Sequence, residues 1–204
     1  MRSRPPLAER TLLCFGDSNT WGYVPGSNGR RFPREIRWPV RLQHALSAEW
    51  EVISEGLSGR TATVDSPVAE GRNGLPYLVP CLHSHAPIDV LVVFLGTNDV
   101  GERFALPERD VAQSVGRLVK VARSAEAGPD GGAPAILVLC PPPFDGHRLG
   151  PHFATVCDEL DCELLDLDGI AAYLEVGDDV EHLDEAGHAA VATAVEQCVR
   201  RLAP

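Results

Sequence analysis

Ser18, His182 and Asp179 are the residue types from which a nucleophilic acyl-transfer site is built. A serine hydroxyl needs a general base to take its proton and a third group to orient that base. Asp179 precedes His182 by three residues, so its carboxylate can reach one ring nitrogen while the other faces the serine. Each residue alone has an ordinary explanation, since Ser caps helices and loop His and Asp side chains are usually solvated. Together they predict serine-based catalysis.

Two further segments could supply donors to a developing oxyanion. Asn98 ends a very apolar run in GTND, and Gly56 opens the segment GLSGRT. An Asn amide can donate directly, and a glycine lets the main chain approach a ligand closely. Turn chemistry is the ordinary explanation for Asn98, and Asp99 is expected to be a cap or turn residue. The sequence predicts an oxyanion hole made by Asn98 and the N–H groups of Ser18 and Gly56.

The elements that must position these residues follow from the apolar pattern. Short apolar runs bounded by turn residues predict five strands, and runs such as IDVLVVFL are typical of parallel strands buried on both faces. Helical spacing of apolar residues lies between them. The predicted strands are 11–15, 51–55, 88–95, 135–140 and 163–166, and the predicted helices are 36–48, 110–125, 152–161 and 185–202.

Alternating strands and helices predict a three-layer α/β/α sandwich with a five-stranded parallel sheet. Ser18, Gly56 and Asn98 each follow a predicted strand, and His182 lies before the last helix. The carboxyl ends of parallel strands share one edge of a sheet, where open α/β folds bind ligands. Residues distant in sequence are therefore expected to converge there.

Composition limits the class of protein. The 204 residues suit one domain, 1–204, with ample apolar content for a core. A net charge of −11 with scattered arginines argues against nucleic acid and anionic membranes. No run approaches the ~18 apolar residues of a membrane span, and the apolar stretch after the N-terminal arginines is too short for a signal peptide. We therefore expect a cytoplasmic protein, and its six cysteines, which show no CxxC or zinc spacing, are expected to be free thiols.

The segments CFGDSNTWGY, SEGLSGRTATVD, GTND and DDVEHLDEAGH resemble the conserved blocks of the SGNH hydrolases, also called the GDSL esterase/lipase family. RFPREIRWPVRLQ adds a similarity to its bacterial arylesterase/acyltransferase branch. The resemblance runs in order from residue 11 to 190. It implies a flavodoxin-like fold, Ser18 as nucleophile, His182 as base and Asp179 as orienting acid. It also implies oxyanion donors at Ser18, Gly56 and Asn98, and no metal or organic cofactor.

Two positions depart from the family pattern. Asn19 stands where the family name has leucine, and Val180 stands where the last block often has glycine. Valine resists the positive φ that glycine permits, so Asp178 is an alternative orienting acid, although Asp179 is favoured. His188 is expected on a face of the final helix.

An acyl or alcohol pocket is expected near the serine. Its candidate residues are Asp17, Trp21, Tyr23, Trp38 and Phe104, although aromatic side chains near a sheet edge usually pack in the core. The chain has no large cap insertion, which favours a shallow site for small esters with acetyl to butyryl groups. An apolar, water-excluding pocket would also allow acyl transfer to alcohols. The branch resemblance suggests a homo-oligomer.

Three other functions remain open. A carbohydrate acetylesterase would use the same fold and residues. A metal-dependent phosphoesterase would need several clustered ligands, and the pair His83 and His85 is the metal-like spacing in the sequence. A non-enzymatic flavodoxin-like domain would need a phosphate-binding loop after the first strand, which the bulky residues 19–24 suit poorly.

Overall fold

The structure, a computed structural model, describes residues 10–46 and 48–203. Its strands form one parallel sheet in the order β2-β1-β3-β4-β5. Each of the five predicted strands is present, with ends that differ from the prediction by at most two residues. The strands are β1 (Arg10–Gly16), β2 (Trp50–Gly56), β3 (Val90–Phe94), β4 (Ala135–Cys140) and β5 (Glu163–Asp166).

Helices cover both faces of this sheet. Helices α2 and α7 pack together, and α3, α5 and α6 form a second packed group. The three-layer α/β/α architecture predicted from the sequence is confirmed. The helices are α1 (Ser18–Trp21), α2 (Trp38–Ala45), α3 (Gly74–His85), α4 (Thr97–Val100), α5 (Glu108–Ser124), α6 (Gly150–Leu160) and α7 (Glu185–Leu202), with single 3₁₀ turns at Arg34–Ile36 and Pro129–Gly131.

The central strands are buried because their side chains are apolar on both faces. Every residue of β3 is buried, and so are Leu12–Gly16 of β1. Helix α5 contributes its apolar stripe to the same core, including Val111, Val115 and Leu118. This core fixes the positions of the strands relative to one another, and therefore the positions of their carboxyl ends.

The carboxyl ends of the first three strands lie level with one another. Gly16 is in register with Gly56 on one side and with Phe94 on the other. Ser18, Gly56 and Asn98 therefore lie at one edge of the sheet, as the sequence predicts.

No helix within residues 10–46 and 48–203 is both long and apolar enough to cross a membrane. The six cysteines carry free thiols, as predicted.

Candidate active site

Ser18 is the first residue of α1 and follows β1 after a turn of one residue. Asp17 caps the helix by accepting a hydrogen bond from the Asn19 N–H at 2.9 Å. Gly16 is required before it, because a Cβ there would lie 2.1 Å from Thr20 Oγ1 and 2.8 Å from the Phe94 carbonyl. The serine is thus held tightly at the sheet edge and is 5% exposed. Its N–H, at the start of a helix, has no intrahelical partner.

The side chains of Ser18, His182 and Asp179 form a continuous hydrogen-bonded line. Ser18 Oγ lies 2.9 Å from His182 Nε2, and His182 Nδ1 lies 2.8 Å from Asp179 Oδ1. With its proton on Nδ1, the imidazole donates to the carboxylate and its Nε2 accepts from the serine hydroxyl. This is the arrangement in which an imidazole can take the proton of an attacking serine.

The position of Asp179 is fixed by a tight turn. The main chains of Val176 and Asp179 exchange hydrogen bonds of 2.9 and 3.1 Å, and Gly177 between them has φ +62°. The Gly26 N–H donates to Asp179 Oδ2 at 2.9 Å. Burial raises the pKa of Asp179, but the Gly26 N–H and the His182 imidazole outweigh it, so the net pKa is lowered. The carboxylate is therefore ionised at neutral pH.

The alternative orienting acid, Asp178, is exposed, and the hydrogen bond to His182 is made by its neighbour Asp179. Val180 is not among the residues with positive φ, so it is not strained. Gly177, three residues before Val180, provides the positive φ of this loop instead.

One contact to the imidazole is absent from the sequence predictions. The ring of Tyr23 stacks on His182 with centroids 4.2 Å apart and planes at 26°. Tyr23 lies two residues after the end of α1, so the segment that carries Ser18 also packs against His182. The sequence suggests this contact only through the closeness of Tyr23 to Ser18.

Asn98 lies in the short helix α4 at the same edge. Its Nδ2 donates to the Arg60 carbonyl at 3.1 Å and more weakly to Asp17 Oδ2 at 3.4 Å. Asp17 is fully buried, and burial raises its pKa to about 7 although the Asn19 N–H lowers it. Asp17 therefore supports Asn98 from behind and is not an accessible pocket residue, contrary to the prediction.

Gly56 and Gly59 differ in their surroundings. A Cβ on Gly56 would lie 2.3 Å from the Trp21 amide nitrogen, so this glycine is where β2 and α1 touch. Gly59 has φ +75°, and a Cβ there would meet its nearest neighbour, Arg72 Cδ, at 3.9 Å. Gly59 lines the same cleft as Asn98, whereas Gly56 lines a different one. Glycine is therefore needed at position 56 because the main chain of α1 lies against it, and not because a ligand does.

The cleft beside Asn98 and Glu181 has a volume of about 440 Å³ and a wall with both polar and apolar parts, and Ser18 and His182 are not among its lining residues. Phe104, a candidate pocket residue, lines this cleft. Its polar lining consists of Ser58, Ser66, Arg72, Glu102, Arg103 and Glu181. Burial raises the pKa of Glu181, although the neighbouring His182 lowers it.

The two predicted tryptophans do not form an open pocket wall. Trp38 is fully buried in the core, where its main-chain N–H donates to His188 Nδ1 at 3.4 Å. Its assignment to the pocket was wrong, because Trp38, at the start of α2, is fully buried in the core. Trp21 is half-buried, and its ring is covered by the Arg31 guanidinium 4.8 Å from the ring centroid.

His188 is a core residue of α7 rather than a second base. It is fully buried, and Phe32 contacts it edge to face with centroids 5.3 Å apart. Burial and the nearby Arg41 charge lower its pKa to about 4, so the imidazole is neutral.

The predicted metal-like pair separates in the structure. His83 Nε2 lies 2.8 Å from the Ala125 carbonyl, whereas His85 Nε2 pairs with Glu55 at 3.0 Å. Glu55, Cys81 and His85 bring potential ligand atoms within 4.8 Å of one another. Burial raises the pKa of Cys81 to about 12, even though the charge of Arg60 lowers it. A protonated thiol beside a guanidinium is a poor environment for a divalent cation.

Comparison with known proteins gives a consistent result. A family model described as GDSL-like Lipase/Acylhydrolase family matches residues 14–190. Est24, a carbohydrate acetylesterase from Sinorhizobium meliloti, is 30% identical over 95% of this chain and 99% of its own, with a TM-score of 0.87. The aryl esterase of M. smegmatis is 32% identical over the same shares, also with a TM-score of 0.87. A carbohydrate acetylesterase family member from Sinorhizobium meliloti is 35% identical over 95% of this chain and 98% of its own, with a TM-score of 0.85. Among curated protein sequences, none matches significantly.

Proposed function

We propose that this chain, which belongs to the GDSL-like lipase/acylhydrolase family and is a carboxylic ester hydrolase, cleaves small esters through an acyl-enzyme on Ser18. The observation that carries the proposal is the hydrogen-bonded line from Ser18 through His182 to Asp179. That line favours ester hydrolysis over the metal-dependent phosphoesterase and the flavodoxin-like binding domain.

The reaction proceeds in two half-steps on the same residues. Ser18 Oγ attacks the ester carbonyl carbon while its proton moves to His182 Nε2, and Asp179 stabilises the resulting imidazolium. Collapse of the tetrahedral intermediate breaks the bond to the alcohol oxygen, which receives the proton from Nε2. Water then attacks the acyl-enzyme by the same route, releasing the acid and restoring the serine.

The negative charge on the carbonyl oxygen needs donors that are already in place. We assign this role to the Ser18 N–H and the Asn98 amide, as the sequence predicts. The Asn98 N–H that makes the long 3.4 Å contact with Asp17 Oδ2 is the one that would turn to the substrate oxygen. For the third donor we propose the N–H of Gly59 in place of Gly56. Gly59 shares the cleft with Asn98, and its open surroundings leave room for a substrate oxygen.

The size of the cleft supports small substrates. A volume of about 440 Å³ lies near the lower end of ligand pockets, which are about 300–1,000 Å³. We therefore propose acetyl to butyryl esters as substrates. The polar part of the cleft wall, with Arg72, Arg103 and Glu102 among its residues, supports an alcohol portion that carries hydroxyl groups. This observation favours a carbohydrate acetyl ester as a second candidate beside an aryl ester.

Acyl transfer to alcohols is a weaker candidate. The expectation of acyl transfer depended on Trp21 as an apolar wall of the substrate pocket. In the structure the Arg31 guanidinium covers the Trp21 ring. We propose hydrolysis as the main reaction. The test is the product ratio with an added alcohol. A transfer-to-hydrolysis ratio above the alcohol-to-water ratio would contradict this preference.

The central experiment compares Ser18→Ala with Ser124→Ala, an exposed serine on α5. Hydrolysis of p-nitrophenyl acetate should be lost in the first variant and kept in the second. A fluorophosphonate should label Ser18, as mapped by mass spectrometry, and activity should survive EDTA. Activity retained in folded Ser18→Ala protein would refute the assignment. A screen of acyl lengths, with acetylated xylan and sugars alongside, then separates the two substrate classes.

A further inference from the structure

The side chain of Asn19 connects to the main chain on both sides of His182. Its Nδ2 donates to the Glu181 carbonyl at 2.9 Å, and its Oδ1 accepts from the Leu183 N–H at 2.9 Å. Asn19 is 1% exposed, so these hydrogen bonds form away from water and are costly to lose. The residues before and after the base are thus both held by the residue that follows the nucleophile.

His182 needs such support because its loop has little regular structure. Between the end of β5 and the start of α7, the main chain makes isolated bridges at Tyr173–Leu183 and Val176–Asp179. The Leu174 N–H also donates to the His182 carbonyl at 2.9 Å. All of these contacts stay within the loop. The Asn19 carboxamide joins the loop to α1, on which Ser18 lies.

A buried tyrosine supports the same side chain from the other direction. Tyr173 Oη lies 3.0 Å from Thr97 Oγ1 and 3.5 Å from Asn19 Nδ2. Thr97 is the first residue of α4, which also carries Asn98. The Asn19 carboxamide therefore lies among polar groups from the loop, α1 and α4, where its orientation is fixed.

We propose that Asn19 is a positioning residue that holds His182 Nε2 against the Ser18 hydroxyl. The inference rests on the proposed roles of these two residues in ester hydrolysis. A carboxamide suits the position because it donates to a carbonyl and accepts from an N–H at the same time. Leucine, the residue in the family name, offers neither group. Aspartate keeps the acceptor for Leu183 but places a second oxygen against the Glu181 carbonyl.

The test compares Asn19→Asp and Asn19→Leu with Asn28→Asp, which makes the same chemical change at an exposed residue. With p-nitrophenyl acetate, kcat should fall about 100-fold in both Asn19 variants, the size expected when a catalytic group moves by about 1 Å. KM should stay within about twofold of wild type, because Asn19 is buried and acts through His182 rather than on the substrate. The Asn28 variant should match wild type in both constants.

A crystal structure of Asn19→Leu gives a readout that does not depend on turnover. We expect the distance from Nε2 to Oγ to exceed the hydrogen-bond limit of about 3.5 Å. Near-ultraviolet circular dichroism measures the folded fraction, to which kcat is normalised. A normalised kcat near wild type in both Asn19 variants, or an unchanged Nε2–Oγ distance, would overturn the positioning role.

The same experiments separate the two proposals. If Ser18→Ala removes activity and the Asn19 variants keep it, ester hydrolysis stands and the positioning role fails. If wild-type protein cleaves no ester but His182 moves away from Ser18 in Asn19→Leu, the proposed function fails and the positioning role stands.

Discussion

Replacing Asp179 with Asn should disable the base without moving it. The Gly26 N–H donates to Oδ2 of Asp179 at 2.9 Å, and His182 Nδ1 lies 2.8 Å from Oδ1. In Asp179→Asn the amide oxygen must stay opposite the Gly26 N–H, which turns the NH₂ group toward His182. Nδ1 then has to accept rather than donate, so the proton moves to Nε2. A protonated Nε2 cannot accept the proton of Ser18.

The expected loss in kcat is about 10⁴-fold, as in serine enzymes whose orienting Asp is changed to Asn. That corresponds to about 5 kcal/mol of transition-state stabilisation. The assay is the hydrolysis of p-nitrophenyl acetate, with a melting curve to confirm the fold. Asp178→Asn is the matched control, because it removes the same charge from an exposed neighbour. It should retain kcat close to wild type.

Two results would refute this reasoning. A loss of less than about tenfold in folded Asp179→Asn would mean that the tautomer of His182 is set elsewhere. A large loss in Asp178→Asn would mean that the loop has a different register in the working enzyme and that the adjacent acid orients the base.

Three further predictions use other parts of the site. Asn98→Ala should lower kcat about 100- to 1,000-fold, the usual cost of one oxyanion donor, and a near-native kcat would remove Asn98 from that role. Gly56→Ala should destabilise the fold by about 1–3 kcal/mol in denaturant titrations, since its Cβ meets the Trp21 main chain at 2.3 Å. Gly59→Ala should cost only the strain of its positive φ, about 1–2 kcal/mol, and a larger loss of stability in Gly59→Ala than in Gly56→Ala would contradict this contrast. Burial raises the pKa of Asp17 from 3.8 to about 7 in the folded state. Between these two pH values the folded state holds a proton that the unfolded state has released, so the free energy of unfolding falls as pH rises toward about 7. The difference in melting temperature between Asp17→Asn and wild type should therefore shift in favour of the variant from about pH 5 to about pH 8, and a constant difference would show that Asp17 is ionised throughout.

The strands could be predicted well because their signal is local. Runs such as Val90–Phe94 are apolar at every position, which is required of a strand covered on both faces. Helix α3 was not predicted, because its segment contains Pro80 and starts at Gly74, and both residue types are unfavourable in helices. Its burial of Leu78 and Leu82 against the core compensates for that low propensity. The sequence of a single segment does not show which tertiary contacts its residues make.

Some residues of the candidate site could likewise be predicted from the sequence, and others could not. The sequence could predict that Ser18, His182 and Asn98 lie at the candidate site, from residue type and from position after a strand or in a late loop. The distinction between Gly56 and Gly59 could not be predicted, because Gly56 ends β2 and Gly59 lies three residues later, and only the path of the chain shows which one contacts α1 and which one borders the cleft. Trp38 was misassigned for a related reason, since the sequence does not reveal which face of α2 its ring packs on.

The two departures from the family pattern, Asn19 and Val180, both concern the placement of His182. In the structure the turn before Asp179 uses Gly177 for its positive φ, so a β-branched residue at 180 costs nothing there. That turn fixes Asp179, and Asn19 then holds Glu181 and Leu183 on either side of the imidazole. Asp179 is therefore positioned by its own turn and by the Gly26 N–H, whereas His182 is positioned through Asn19. Because these two supports share no residue, Asp179→Asn should leave the position of His182 unchanged, while Asn19→Leu should move it.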